Sequence, residues 1–196
     1  FLLGAYQYLL DYHLKWHSEH HPEKLAKVKA PVIYQVGSAE WQLTTAEKKR
    51  ILQNNIHGVD IDPQAVEVTK LSLLLKVLEG ERQESIGTQL ELFKERALPN
   101  LGENIQCGNS LIGPDYYKDK QLTMGFADEE ERLRVNAFDW KAAFLQVFDK
   151  GGFDAVIGNP PWGADFSEDE LSYLRKKNKP IIVRMIDSFM YFVYKG

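Results

Sequence analysis

The chain has 196 residues, enough for one domain with a real core, and its 44% hydrophobic and 27% charged content is that of an ordinary soluble globular protein. A net charge of −4 argues against this chain being the main grip on nucleic acid, because that grip needs clustered Lys and Arg. The single cysteine, Cys107, excludes an internal disulfide framework and suits a reducing, cytoplasmic setting; no signal peptide or membrane-spanning stretch is visible.

Residues 1–19 carry Leu2, Leu3, Tyr6, Leu9, Leu10, Leu14 and Trp16 at helical spacing, and Pro22 marks the end of that helix. His13 and His17 lie one turn apart with His20 and His21 behind them, which raises a zinc site. No cysteine or second ligand cluster lies near, so the expectation is no metal. Residues 32–36 and 41–43 are short β-type runs separated by Gly37 to Glu40, a hairpin pattern. Thr44-Thr45-Ala46-Glu47 reads as a capping box, with Glu47 reaching back to Thr44, and predicts a helix to about residue 53.

Residues 56–61 form the next predicted strand, followed by Asp62 and Pro63 in the usual arrangement of helix cap and first helical residue. Asp60 stands at the strand's carboxyl tip without a capping task. In dinucleotide-type folds an acidic residue there accepts hydrogen bonds from ribose hydroxyls. The helix over 63–79 has Ala65, Val68, Leu71, Leu75 and Leu78 on one face. Residues 81–104 are mixed and polar, with a short helix expected near 89–96. A strand over 105–107 then ends in Gly108-Asn109-Ser110-Leu111. Residues 113–135 read as a charged surface excursion, and a helix over 138–148 follows.

Residues 153–157, Phe-Asp-Ala-Val-Ile, read as a buried parallel strand that ends at Gly158. Pro160 and Pro161 then forbid helix and ladder and leave a stiff loop at a strand's end, where open α/β sheets place their sites. The Asn159 side-chain oxygen and the Pro160 carbonyl are two acceptors suited to the two hydrogens of an exocyclic amino group. Trp162 offers a flat face for stacking a base such as adenine or cytosine lifted out of a duplex. Residues 163–180 are polar, and a helix over 181–194 closes the chain. Alternating strands and helices imply an α/β fold with a parallel sheet covered by helices.

Asn159-Pro160-Pro161-Trp162 resembles the signature of amino-methyltransferases that use S-adenosylmethionine. The order Asp60-Ile61, Asn109-Ser110, Asn159 to Trp162 is similar to adenine-N6 DNA methyltransferases of the kind fused into type IIG restriction–modification enzymes. The runs at 55–76, 108–113, 138–140 and 187–193 are similar to that group as well. The resemblance implies a Rossmann-like methyltransferase fold, mostly parallel sheet with helices on both faces. It implies Asp60 on the cofactor ribose, Ile61 on its adenine, Asn109 and Ser110 at the cofactor's amino group, and Asn159, Pro160 and Trp162 around a flipped target adenine. Pro161 would keep the loop rigid, and no metal is required. The implied partners are double-stranded DNA, a target-recognition domain and a restriction nuclease.

Two departures stand out. The family's glycine-rich cofactor loop should precede a Phe-Leu-Leu such as residues 1–3 and is not seen, nor are the C-terminal strands or the recognition domain. Residues 1–196 therefore read as a partial catalytic domain, expected to be inactive alone. Asn109 also replaces the family's usual aspartate, keeping an acceptor without the charge. The residues leave open cytosine as the target base, a protein glutamine or RNA substrate, and a non-catalytic scaffold.

Overall fold

Helix α1, Leu2–Glu19, opens the chain and turns Tyr6, Leu10 and His17 inward. Tyr6 is fully buried, and its hydroxyl donates to the Lys48 carbonyl at 2.8 Å. Leu3 and Trp16, expected on this face, are exposed. The period set by Tyr6 and Leu10 takes His17 inward, and each helical residue is turned about 100° from the one before it, so Trp16 faces outward. The computed structural model describes residues 1–37, 40–80, 99–118, 126–161, 165–178 and 188–195. These divide into two units, residues 1–58 with 64–105 and residues 59–63 with 106–196.

In the first unit a short helix α2, Pro22–Leu25, leads to the hairpin of β1, Ile33–Val36, and β2, Glu40–Leu43. The pair is antiparallel, with Ile33 opposite Leu43 and Val36 opposite Glu40. Thr44 caps α3, Thr45–Asn55, its hydroxyl accepting the Glu47 N–H at 3.3 Å. The other half of the expected capping box is replaced. The Glu47 carboxylate pairs with Arg50 at 2.6 and 2.7 Å and faces His17, because a charged donor holds a carboxylate better than a neutral N–H does. Asn104 is buried, and its amide donates to the carbonyls of Gln53 and Ile56 at 2.8 and 2.9 Å, satisfying the end of α3.

Strands β3, Gly58–Asp60, and β4, Ile105–Cys107, pair with each other. Gly58 N–H donates to the Asn104 carbonyl, and further along Gly108 N–H donates to Asp60, both at 2.8 Å. Both bonds advance in the same sense along the two segments, so the strands run parallel. Helix α4, Pro63–Leu78, forms where expected but buries Val66, Leu73 and Val77 rather than the predicted face. Val68, Leu71 and Leu75 are exposed. α4 is apolar on both sides, so spacing alone does not select which side the core takes.

The second unit is packed around Leu111, Ile112, Tyr116, Val135, Leu174 and Tyr191. Its elements are a 3-10 turn at Pro114–Tyr117, α5 (Phe126–Val135), α6 (Trp140–Ala143), α7 (Leu145–Phe148), α8 (Glu168–Lys177) and α9 (Ser188–Lys195). The stretch 113–135 is thus more than a surface excursion, since Tyr116 and Val135 are core residues. The helix expected over 138–148 is two short helices. Asp139 caps α6, and Phe144 breaks the run with a non-helical backbone while its ring is buried against Phe138, Trp140 and Phe153. Helix α8 opens with a complete capping box of Ser167 and Glu170 in a segment that composition alone marks only as polar.

The fold class is therefore mixed α/β, mostly helical, with small sheets of two strands each among the described residues. The expected sheet with helices on both faces is not formed by these residues. In particular 153–157 is not a buried strand. Phe153 packs into the aromatic group, but the following residues are irregular and exposed, Val156 at 61% and Ile157 at 57%. Strand-type composition gives a capacity to pair, and among the described residues no strand lies against this segment to supply a ladder. The parallel bridge near β4 goes instead from Asn109 to Ala137. The helix expected near 89–96 and the first part of that over 181–194 lie outside the described residues. No described helix is long and apolar enough to cross a membrane.

Asp115 joins α8 to the 3-10 turn: Tyr173 donates to Oδ1 at 2.9 Å, and Lys177 pairs with Oδ2. Burial alone would push the Asp115 carboxyl up, but the hydrogen bonds from Lys177 and Tyr173 together hold it below the usual range. A lowered folded value means that the contribution to stability is complete above the ordinary carboxylate value and is lost as pH falls through the lowered one. Urea midpoints measured from neutral to acid pH should show this loss, and Asp115→Asn should remove it.

Candidate functional site

The predicted site residues 60, 61, 109, 110 and 159–161 all belong to the second unit. Asp60 ends β3 with its side chain exposed, and its Oδ1 accepts the Asp62 N–H at 2.9 Å. The carboxylate therefore has a local turn-forming task that its position in the sequence did not suggest. Ile61 follows with 53% of its surface exposed, an open apolar side chain beside a carboxylate. The Cys107 thiol donates to the Ile61 carbonyl at 3.5 Å and accepts from the Asn136 amide at 3.4 Å.

The β3 tip is held against the β4 tip by Gly108 N–H donating to the Asp60 carbonyl. Glycine is required there: a Cβ on residue 108 would lie 2.5 to 2.9 Å from Phe138. From this point the chain is laced to residues 136–140. Asn109 N–H donates to Asn136 at 2.7 Å, Phe138 N–H donates to Ile112 at 2.8 Å, and the Trp140 indole donates to the Ser110 carbonyl at 3.1 Å. The Asn109 side-chain oxygen accepts the N–H groups of Leu111 and Ile112 at 3.0 and 3.2 Å. It folds the loop on itself, and in this arrangement both lone pairs of that oxygen are engaged.

Asn159 and Pro161 are exposed and Pro160 is half-buried. The Pro161 carbonyl accepts the Ser188 hydroxyl at 2.6 Å. At the other end of α9 the Lys195 ammonium donates to the Leu111 carbonyl at 3.1 Å, and Tyr191 between them sits in the core with Leu111 and Ile112. One helix thus anchors both the proline loop and the loop after Asn109. Trp162 lies outside the described residues. Asp60 and Ile61 are brought beside Gly108 and Asn109 by direct bonding, whereas the link from these to 159–161 runs through α9.

Sequence reasoning missed Trp140, Asn136, Ser188 and Lys195. Trp140 and Ser188 stand inside runs already noted as family-like, 138–140 and 187–193. Their tasks were hidden because each contacts main-chain atoms far along the chain.

An exposed carboxylate and an exposed apolar side chain thus stand at one strand tip beside a tightly turned loop. The chain belongs to the Eco57I restriction-modification methylase family, which it matches over residues 54–196. It is 28% identical to the type II restriction enzyme and methyltransferase RM.Eco57I of Escherichia coli, across its whole length and 17% of that protein. It is 39% identical over 87 residues to RM.MjaORFECS2P of Methanocaldococcus jannaschii, named provisionally as a type II restriction enzyme and methyltransferase. That match covers 44% of this chain and 7% of the relative. No solved structure matches the chain at a significant level.

The close approach at residue 108 is open to test. Gly108→Ala should destabilise the second unit by about 1–3 kcal/mol, the usual cost of overpacking a filled site. A lowered urea midpoint is the expected result, and an unchanged one would mean that Phe138 is free to move aside.

Proposed function

We propose that the protein transfers a methyl group from S-adenosylmethionine to the N6 amino group of adenine in DNA, as the modification activity of a restriction–modification system. The observation that carries this is Asn159-Pro160-Pro161-Trp162 within a chain of the methylase family. The names of both relatives, each a restriction enzyme and methyltransferase, support it. The proposal includes a Rossmann-like arrangement for the catalytic domain and concerns the full-length protein, because the chain spans only 17% of the E. coli relative.

The residues take the following roles. Asp60 accepts from the cofactor ribose, exposed Ile61 packs on the cofactor adenine, and Asn109 with Ser110 shapes the loop beside it. The cofactor supplies an electrophilic methyl carbon on a sulfonium. An adenine amino nitrogen is a poor nucleophile because its lone pair is delocalised into the ring. The Asn159 side-chain oxygen and the Pro160 carbonyl each accept one of its hydrogens and draw them out of the ring plane, which localises the lone pair toward the methyl group. Held by these residues, the cofactor would supply the methyl and leave as the neutral thioether, while the amino nitrogen would release one of its two hydrogens as a proton to solvent. The fixed relation of the two acceptors follows from the proline pair, so positioning and electrostatics provide most of the rate. Trp162 stacks on the flipped base. The acidic balance of these residues supports a main DNA grip on a recognition domain elsewhere in the protein, with a restriction nuclease as the associated activity.

The test uses full-length protein, isotopically labelled S-adenosylmethionine and unmethylated DNA, with nucleosides then analysed by mass spectrometry. Label in N6-methyladenine is expected. Label in N4-methylcytosine would keep the mechanism and change the base, label only in protein or RNA would overturn the substrate, and no label without cofactor binding would leave a scaffold. Asn159→Ala should abolish transfer while far-UV circular dichroism stays unchanged; transfer near the wild-type rate would refute the assignment. Trp162→Ala should weaken transition-state binding by about 1–3 kcal/mol, the usual worth of stacking one base on an aromatic ring. Unchanged kcat/KM would remove Trp162 from the site.

A further inference from the structure

The first unit contains a cluster that the methyl-transfer reading does not use. Helix α1 sets His13 and His17 one turn apart on one face, their ring centroids 6.0 Å apart and their planes tilted by 31°. Helix α3 brings Glu47 to the same place, with its Oε1 3.4 Å from His17 Nε2. One ligand-capable atom from each of the three residues lies within 4.8 Å of the other two. The sequence showed no ligand cluster beyond the histidines of this helix; the structure supplies Glu47 from 30 residues beyond His17.

Two features mark the cluster as more than an ion pair. Glu47 is almost fully buried and His17 nearly so, at 3% and 9% exposure. With Nε2 of His17 turned to Glu47, its Nδ1 is buried without a hydrogen-bond partner. Nε2 is thereby the ring nitrogen placed to share an ion with Glu47 Oε1, while Nδ1 stays a buried donor whether or not an ion is bound.

We propose that His13, His17 and Glu47 form a binding site for a divalent cation of the zinc type, with two imidazole nitrogens and one carboxylate oxygen as ligands and a fourth position open to water. Imidazole donors suit Zn²⁺ or Co²⁺ rather than Mg²⁺ or Ca²⁺, which prefer all-oxygen shells. Bound there, the ion cross-links α1 to α3, and its binding energy adds to the stability of the unit. Arg50 has two consequences. Its Nε donates to Glu47 Oε2 at 2.7 Å and orients the carboxylate from behind. Its terminal nitrogen lies 2.6 Å from Oε1 and must yield that oxygen to the ion. His20 is not part of the site: its Nδ1 lies 2.7 Å from the Trp16 carbonyl and its ring stacks on the Trp16 indole at 4.5 Å.

The experiment is a zinc chloride titration of the untagged protein against a chromophoric chelator, repeated with Co²⁺ to record its visible absorption. One equivalent bound, tetrahedral-type Co²⁺ bands and a raised melting temperature with zinc are expected. His13→Ala removes a half-buried ring without opening the core and should lower zinc affinity at least about tenfold, with circular dichroism unchanged. The double variant His20→Ala/His21→Ala should bind as the wild type does. No stoichiometric binding, equal binding by His13→Ala, or binding lost only with His20 and His21 would each overturn the proposal. These readouts do not involve methyl transfer, so they stand or fall separately from it.

Discussion

The second unit depends on the lacing of residues 108–112 to residues 136–140. Its close point is Gly108, where the backbone passes under the Phe138 ring with no space for a side chain. Three bonds follow in order, Asn109 to Asn136, Trp140 to Ser110 and Phe138 to Ile112. The loop after β4 is thereby fixed without belonging to a regular element. Asn136 accommodates the geometry with a left-handed backbone, φ 46°, which asparagine tolerates better than most residues. Because Gly108 also donates to Asp60, the tip of β3 inherits the position of this loop. A carboxylate and an open isoleucine are thus placed by a contact between a glycine and an aromatic ring some 30 residues further on.

Helix α9 extends this order to the proline loop. It is eight residues long, yet it makes three kinds of attachment: Ser188 to Pro161, Tyr191 into the core, and Lys195 to Leu111. The rigidity of Asn159 to Pro161 is local, from the two proline rings, but its location is not. The local stiffness restricts the backbone of the loop, and the helix fixes where the loop stands in the unit.

What was legible in the sequence was encoded over short distances. The span of α1, the hairpin of β1 and β2, the Thr44 cap and the position of β4 all follow from spacing and capping within a few residues. The failures share a different cause. Residues 153–157 have the composition of a strand, but a strand needs a neighbour, and pairing is not a local property. The core side of α4 was undetermined because Val68, Leu71 and Leu75 are as apolar as Val66, Leu73 and Val77. Glu47 looked like half of a capping box because His17 reaches it only once α1 packs on α3, while Arg50, one turn along α3, competes for the same carboxylate. The order of the three candidate segments and the closing helix were readable, while the bonds by which that helix ties the last segment to the others were not.

Most of the anchoring bonds described above end on main-chain oxygens: Asp60, Ser110, Leu111, Asn136 and Pro161 each receive one through the carbonyl. A carbonyl is present whatever the side chain, so the accepting positions are free to drift in identity without loss of the bond. The burden of specification falls on few donors, chiefly Trp140, Ser188 and Lys195. The loops after β3 and β4 and around the proline pair can therefore be retuned in sequence while the scaffold beneath them stays in place.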